Sequence, residues 1–310
     1  MEVSLEIITG TTDFYLTRET AAAIGKFDGV HIGHRRLLEE ILCCKSRGLA
    51  SCVFTFDPPP AVFFGRSDGK ELTTREEKRL LFERLGVDLL IEFPMTAETA
   101  AMLPEVFAEE ILAKRMNTRL LAAGTDLSFG AGGAGNAALL ERLGPELGFT
   151  VKTIDKVCLD GREVSSTYLR SRVEEGDMRL AERLMGTAYP IAGRVVTGKR
   201  LGRTLGFPTV NLLPGREKLL PPAGVYFSDV QYGGRIYKAV SNVGCKPTVT
   251  EEGVTGVESY LYDFQGEIYG EEILVFLREF WRPERRFESL EALKRQLEQD
   301  VAEGALRPNL

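Results

Sequence analysis

The chain has two histidines, His31 and His34, and both stand in one run, Ile24-Gly25-Lys26-Phe27-Asp28-Gly29-Val30-His31-Ile32-Gly33-His34. The run reads as a strand, a glycine-bearing turn and the start of a helix that continues through Arg35-Arg36-Leu37-Leu38-Glu39. A helix N-terminus offers unpaired backbone N–H groups and the positive end of its dipole, and two imidazoles there add donors for a phosphate chain. Gly33 keeps the loop thin beside such a ligand. A cap with a packing residue is the plain alternative, and paired metal ligation is another. The zinc-protease pattern, however, sets its histidines at i and i+4 on a helix with a glutamate between them, which this run lacks. A second run, Gly193-Arg194-Val195-Val196-Thr197-Gly198-Lys199-Arg200, approaches the P-loop pattern, but Arg200 stands where a metal-binding Ser or Thr is required. It reads instead as a valine-rich strand and its turn.

The elements that must position these residues fall into two rhythms. Up to about Gly186, apolar strand candidates (21–25, 51–56, 87–91 and 120–123) alternate with helical patterns from about His34 and near 74–85, 104–116 and 136–147. That alternation predicts a parallel sheet flanked by helices. After Tyr189-Pro190 come strand-like runs rich in valine and aromatics: Ile191–Thr197, Val225–Tyr232, Ile236–Val243, Val257–Tyr262 and Ile273–Phe280. They predict an antiparallel sheet or small barrel. Leu290, Leu293 and Leu297 at helical spacing, opened by Ser289 as a cap, predict one closing helix. The expected division is residues 1–186 and 187–310, joined by a short hinge near Gly186–Pro190.

Composition narrows the class. A chain of 310 residues with 44% hydrophobic residues and 32 glycines suits two globular domains with loops that let backbone approach a ligand. Its net charge of -6 argues against nucleic acid as the main partner, because a polyanion needs a concentrated positive field. With no apolar run long enough to span a bilayer and no basic start followed by an apolar stretch, the expectation is a cytoplasmic protein with no membrane partner. Five scattered cysteines, with no C-x-x-C pair, predict neither a disulfide framework nor a zinc site. The sequence carries no signal for an oligomeric state.

The run Gly25-x-Phe27-Asp28-Gly29-Val30-His31-x-Gly33-His34 resembles the signature of bacterial bifunctional riboflavin kinase/FAD synthetase proteins, whose His-x-Gly-His core is shared more widely with nucleotidylyltransferases. Val164-Ser165-Ser166-Thr167-Tyr168-Leu169-Arg170 is similar to a second signature of that superfamily, in which hydroxyls and an arginine at a helix start grip the departing pyrophosphate. Ser165, Ser166 and Thr167 also suit an ordinary cap. Thr55-Phe56-Asp57-Pro58-Pro59-Pro60 resembles a family loop, and Gly124-Thr125-Asp126-Leu127-Ser128-Phe129-Gly130 resembles a segment that would put Asp126 and Phe129 near the flavin. The family commonly has histidine at Pro59, a polar chain such as arginine near Ser128, and arginine at Tyr168. The implied chemistry is attack of the FMN phosphate on the α-phosphate of ATP, with His31, His34, Arg170 and Mg²⁺ stabilising charge and Gly25, Phe27, Asp28 and Gly33 shaping the phosphate loop.

In the second half, the series Gly193, Gly198, Gly202, Gly206, Phe207, Pro208, Thr209, Val210, Asn211 resembles the riboflavin kinase signature over its full length. The resemblance implies that Gly198, Gly202 and Gly206 let backbone wrap a nucleotide phosphate and that Thr209 and Asn211 supply oxygen ligands for Mg²⁺. Gly224-Val225-Tyr226, Asn242-Val243-Gly244 with Pro247-Thr248, and Val257-Glu258-Ser259 follow in family order, making Glu258 the candidate that orients or deprotonates the riboflavin 5′-hydroxyl. Trp281 is a candidate neighbour of the isoalloxazine, or a core aromatic. The implied architecture is an α/β nucleotidylyltransferase domain with a Rossmann-like parallel sheet, then a small six-stranded antiparallel β-barrel riboflavin kinase domain with a C-terminal helix. The implied activity converts riboflavin to FMN and FMN to FAD with ATP and Mg²⁺. A riboflavin kinase with a vestigial first domain, and a non-catalytic flavin carrier or sensor, are the alternatives.

Overall fold

Short runs of small and branched apolar residues become inner strands of a parallel sheet, because such strands are covered on both faces. In the computed structural model, which describes residues 4–198, 201–246 and 254–308, strands β1 (Glu6–Thr9), β2 (Thr20–Ile24), β3 (Ala50–Asp57), β4 (Leu89–Pro94), β5 (Thr118–Gly124) and β6 (Thr150–Ile154) form one sheet in the order β1-β4-β3-β2-β5-β6. Every pairing is parallel. One face, with Ala22, Ile24, Cys52, Phe54 and Ile91, packs on Phe107, Ile111 and Leu140; the other, with Ala21, Ala23, Val53 and Leu90, packs on Leu38, Ile41 and Phe82. The outer strands β1 and β6 were not legible as apolar runs, since most of their residues are exposed or half-buried. The order of the sheet reverses between β2 and β5, and in such sheets the crevice beyond the carboxyl ends at that reversal is where ligands bind.

The helices of this unit are α1 (Ile32–Cys43), α2 (Pro60–Phe63), α3 (Arg75–Arg84), α4 (Ala97–Ala100), α5 (Pro104–Val106), which continues to Arg115 with wider π-type turns, and α6 (Ala137–Leu147). Asn136 caps α6 by accepting from the Leu139 N–H, and Gly148 closes it in the left-handed region at φ 83°. A two-stranded hairpin, β7 (Cys158–Leu159) with β8 (Arg162–Glu163), follows β6.

The second unit is a closed antiparallel barrel of β9 (Tyr189–Val196), β10 (Thr209–Leu213), β11 (Gly224–Tyr232), β12 (Arg235–Lys246), β13 (Val254–Leu261) and β14 (Glu272–Pro283), in the order β10-β13-β12-β11-β14-β9. Its helices are α7 (Ser166–Glu175), α8 (Met178–Met185), α9 (Leu201–Leu205) and α10 (Leu290–Ala305). Ser289 caps α10 as expected, accepting from the Ala292 N–H at 3.1 Å. Strand β10 is the one barrel member outside the valine-rich runs. Its polar Thr209 and Asn211 masked the period, and closure between β9 and β13 makes it a strand.

By compactness, Met1–Gly69 group with Lys78–Ser165, and Lys70–Glu77 with Ser166–Leu310. The Lys70–Glu77 segment is held in the second unit by a buried ion pair. Lys218 Nζ donates to Glu77 Oε2 at 2.6 Å and to the Leu72 carbonyl at 2.7 Å, over the Tyr189 ring, while Glu77 Oε1 accepts from the Ala192 N–H.

Candidate functional sites

The first site grows from the end of β2. Beyond Ile24 the chain turns through Phe27 at φ 50°, Gly29 at φ 84° and Val30 at φ 37°. A β-branched residue in this region is strained, and such strain persists only where surrounding packing fixes it. Phe27 and Val30 are buried, with the Phe27 ring against Phe82 at 5.6 Å and His34 at 5.0 Å. The turn delivers His31 to the N-cap of α1, where its Nδ1 accepts from the His34 N–H at 3.3 Å. The two imidazoles stack at 3.8 Å. A Cβ on Gly33 would lie 3.1 Å from the His31 ring, so the glycine makes room for that stack.

Burial keeps both rings neutral. It pushes His31 down from 6.5 to about 4, against the opposing pull of Asp126, and it holds His34 well below the usual histidine range with help from His31. With Nδ1 accepting, neutral His31 carries its proton on Nε2. His34 Nδ1 is closed off from solvent and has no hydrogen-bond partner. The pair can therefore act as dipolar donors on a phosphate chain but brings no positive charge of its own at pH 7.

Asp126 follows Gly124 at the end of β5, the neighbour of β2 across the reversal. Lys156 Nζ lies 3.9 Å from Asp126 and 3.0 Å from Glu163. This lysine, just beyond β6, went unread in the sequence because a lone surface lysine carries no pattern. Phe129 lies in the core, 3% exposed and 5.5 Å from Phe107. Ser165 closes the first unit, while Ser166, Thr167 and Arg170 lie on α7 of the second, where Arg170 Nη2 donates to the Lys70 carbonyl at 2.7 Å.

The second site stands on the barrel wall. Alternation along β10 places Thr209 and Asn211 on one face, and the register sets Asn211 opposite Glu258 on β13 and Glu258 opposite Asn242 on β12. The Thr209 hydroxyl donates to the Glu258 carboxylate. A Cβ on Gly198 would meet the Asn211 amide at 2.5 Å, and one on Gly202 the Phe207 carbonyl at 2.4 Å and Thr209 Oγ1 at 3.3 Å. These two glycines clear space around the Thr209 and Asn211 side chains, and Gly206 turns at φ 90° before β10. Lys199, Arg200, Pro247 and Thr248 lie outside the described residues.

Two cavities meet at Thr209. One of about 570 Å³ lies between the barrel and α10, lined by Phe207, Val225, Val240, Leu293 and Leu297 with Glu258, Asn242, Arg282 and Asp300. The other, about 410 Å³, is lined by Val195, Pro208, Val210, Leu261, Phe264 and Tyr269 with Arg203 and Glu267. Trp281 is not among the lining residues; it packs on Phe227 at 5.1 Å and donates from Nε1 to Asp300 at 3.2 Å. Asn242 donates to Glu284 at 2.8 Å on the rim of the larger cavity. Asp300 and Gln296 were not singled out by sequence. The available signal was a polar pair at i and i+4 on the face of α10 that carries Leu293 and Leu297.

A divalent cation fits the Thr209, Asn211 and Glu258 cluster by donor chemistry, since hard cations take oxygen ligands and three side chains here offer them. Among the described residues no group of three or more His, Cys, Asp or Glu side chains could hold a metal ion by itself. Phosphate oxygens would have to complete the coordination.

Comparisons with known proteins bear on both sites. The FAD synthetase family model matches residues 15–168 and the riboflavin kinase model matches residues 185–305. A bifunctional riboflavin kinase/FMN adenylyltransferase from Pseudomonas fluorescens is 36% identical over 286 residues, covering 92% of each chain. The protein of the same name from Escherichia coli K12 is 37% identical over 281 residues, covering 89% of each. A crystal structure described as a macrolide-efflux protein from Streptococcus pneumoniae matches 99% of this chain and 100% of its own, with TM-score 0.85 and 26% identity. Efflux is said of that protein; in this chain no helix among the described residues is long and apolar enough to cross a membrane.

Proposed function

Because the chain belongs to the family of bifunctional riboflavin kinase/FMN adenylyltransferases, we propose that its two described sites divide those transfers, residues 1–186 carrying the adenylylation of FMN and 187–310 the phosphorylation of riboflavin. Thr209 carries the kinase assignment. It lies between two cavities and its hydroxyl is bonded to Glu258, so a nucleotide in the smaller cavity and a flavin in the larger would meet at one carboxylate. The larger space, with its apolar lining, suits a tricyclic ring, and the smaller suits a nucleoside.

In the kinase reaction the riboflavin 5′-oxygen bonds to the γ-phosphorus of ATP as the bond to the β,γ-bridging oxygen breaks, and ADP leaves. Glu258 orients the hydroxyl and receives its proton late, once bond formation to phosphorus has made that proton acidic. Thr209 Oγ1 and the Asn211 side-chain oxygen would hold Mg²⁺, which when bound neutralises the phosphate oxygens.

In the adenylylation a phosphate oxygen of FMN bonds to the α-phosphorus of ATP and pyrophosphate leaves. The nucleophile is already ionised at pH 7, so no base is required. His31 and His34 donate from neutral rings at the start of α1, beside its N–H groups, to the oxygens that gain charge. The hydroxyls of Ser166 and Thr167 and the Arg170 guanidinium are assigned to pyrophosphate by their motif. ATP as shared substrate supports a cytoplasmic setting.

The test is a chromatographic time course with purified protein, ATP and Mg²⁺, started from riboflavin and separately from FMN. FMN followed by FAD is the expected course. FMN without FAD from either start would sink the first-site assignment, and no turnover of riboflavin would sink the second.

A further inference from the structure

The wall of the larger cavity is not built by the barrel alone. Asp300, on α10, has a side chain only 2% exposed and gathers donors from β14. Arg282 Nε donates to its Oδ1 at 2.9 Å and Arg282 Nη2 to its Oδ2 at 2.5 Å, while Trp281 Nε1 donates to Oδ1 at 3.2 Å. One turn earlier on α10, Gln296 donates from Nε2 to Asp300 Oδ1 at 2.8 Å and accepts from Arg285. Arg282 and Arg285 both line the cavity.

The fork geometry matters. A guanidinium gripped side-on by a carboxylate is fixed in plane and direction, which a lysine cannot reproduce. Arg282 Nη1 donates once more, to the Pro283 carbonyl at 3.1 Å. Three of its five N–H groups are thereby used, and two have no partner among the described residues. A buried carboxylate holding a half-spent guanidinium at the edge of an apolar cavity is an arrangement for a neutral ring that carries carbonyl oxygens.

We propose that Asp300 and Gln296 are positioning residues of the flavin subsite, holding Arg282 and Arg285 so that Arg282 donates to the carbonyl-bearing edge of the ring. The proposal rests on the reading that this cavity takes the flavin. Neither residue touches the transferred phosphoryl group; the effect is on flavin affinity, not on the chemical step.

Trp281 is the only tryptophan in the chain and sits in this network, so its fluorescence reports the site directly. The full-length protein is titrated with riboflavin, with and without ADP and Mg²⁺, following Trp281 quenching, and the kinase reaction is assayed in parallel. Asp300→Asn turns one acceptor oxygen into a donor facing Arg282 and is expected to raise the riboflavin Kd and KM about tenfold, the effect of losing one charge-assisted bond. The KM for ATP and the kcat should change less than about twofold. The urea midpoint of the second unit, followed by Trp281 fluorescence without flavin, is the folding control. Should Asp300→Asn fail to fold, Gln296→Met and Arg282→Lys decide, each expected to weaken riboflavin binding about threefold or more. Quenching in the parent protein with unchanged riboflavin affinity in the variants would overturn the positioning role. No quenching by riboflavin in the parent would overturn the flavin reading of the cavity itself, and the proposal with it.

Discussion

Acid should loosen the first unit through His31, and the size of the effect can be worked out. Its imidazole moves from 6.5 in the unfolded chain to about 4 in the folded one, because burial penalises the charged ring. For a histidine shifted down, the stabilisation is complete above the unfolded value and falls away as pH drops from 6.5 toward 4, since only the unfolded chain takes up the proton. At pH 5 the unfolded state binds nearly a whole proton at this site and the folded state about a tenth of one, so the fold loses about 2 kcal/mol relative to pH 7. His34, also held low, adds in the same direction. The perturbation is His31→Asn, which keeps a side chain able to cap α1 but does not titrate. Urea unfolding would be followed by hydrogen exchange in peptides covering β2 and α1, at pH 7 and pH 5, for parent and variant. The expected outcome is a gap between the two proteins that moves by about 2 kcal/mol in favour of the variant on acidification. Parallel pH dependence, with a change under about 0.5 kcal/mol, would refute the claim that the ring is buried neutral.

Because the rings are neutral when free, ATP binding at the first site should draw in protons below about pH 6.5, as phosphate charge restores their basicity; calorimetry in buffers of different ionisation enthalpy measures the uptake, and none would count against His31 and His34 as phosphate ligands. Glu258→Gln should lower the kinase kcat by about 100-fold or more while FMN adenylylation proceeds unchanged, as read by chromatography of both products. Gly202→Ala would push a methyl into the Phe207 carbonyl and toward Thr209, and is expected to cost the kinase at least about tenfold in kcat/KM. Lys218→Met removes the buried ion-pair partner of Glu77, and should destabilise the second unit by about 3–5 kcal/mol in urea unfolding followed by Trp281 fluorescence.

Much of the fold was legible because local pattern and burial agree. Ala21 to Ile24 are wholly buried, as an inner strand of a parallel sheet covered on both faces requires, and the run is too short for a buried helix. The capping serine of α10 and the helix starts near His31 and Asn136 follow from side chains that satisfy free N–H groups. The edge strands β1 and β6 and the polar strand β10 were not legible. Their hydrogen bonds come from distant neighbours, and no apolar period marks them.

The sites divide in the same way. The histidine pair was legible because its residues are adjacent in sequence, and so were Thr209 and Asn211, two apart on one strand face. Sequence by itself determined the residue types, the two-part order and the chemistry those motifs can support. Only the tertiary structure decided that the histidines stand neutral, because solvent exclusion is a property of everything packed around them. The same holds for the bond from Thr209 to Glu258 and for the grip of Asp300 on Arg282, each made between strands or helices that the chain order keeps apart. Register and helix docking bring such groups together, and neither is encoded by any short stretch of residues.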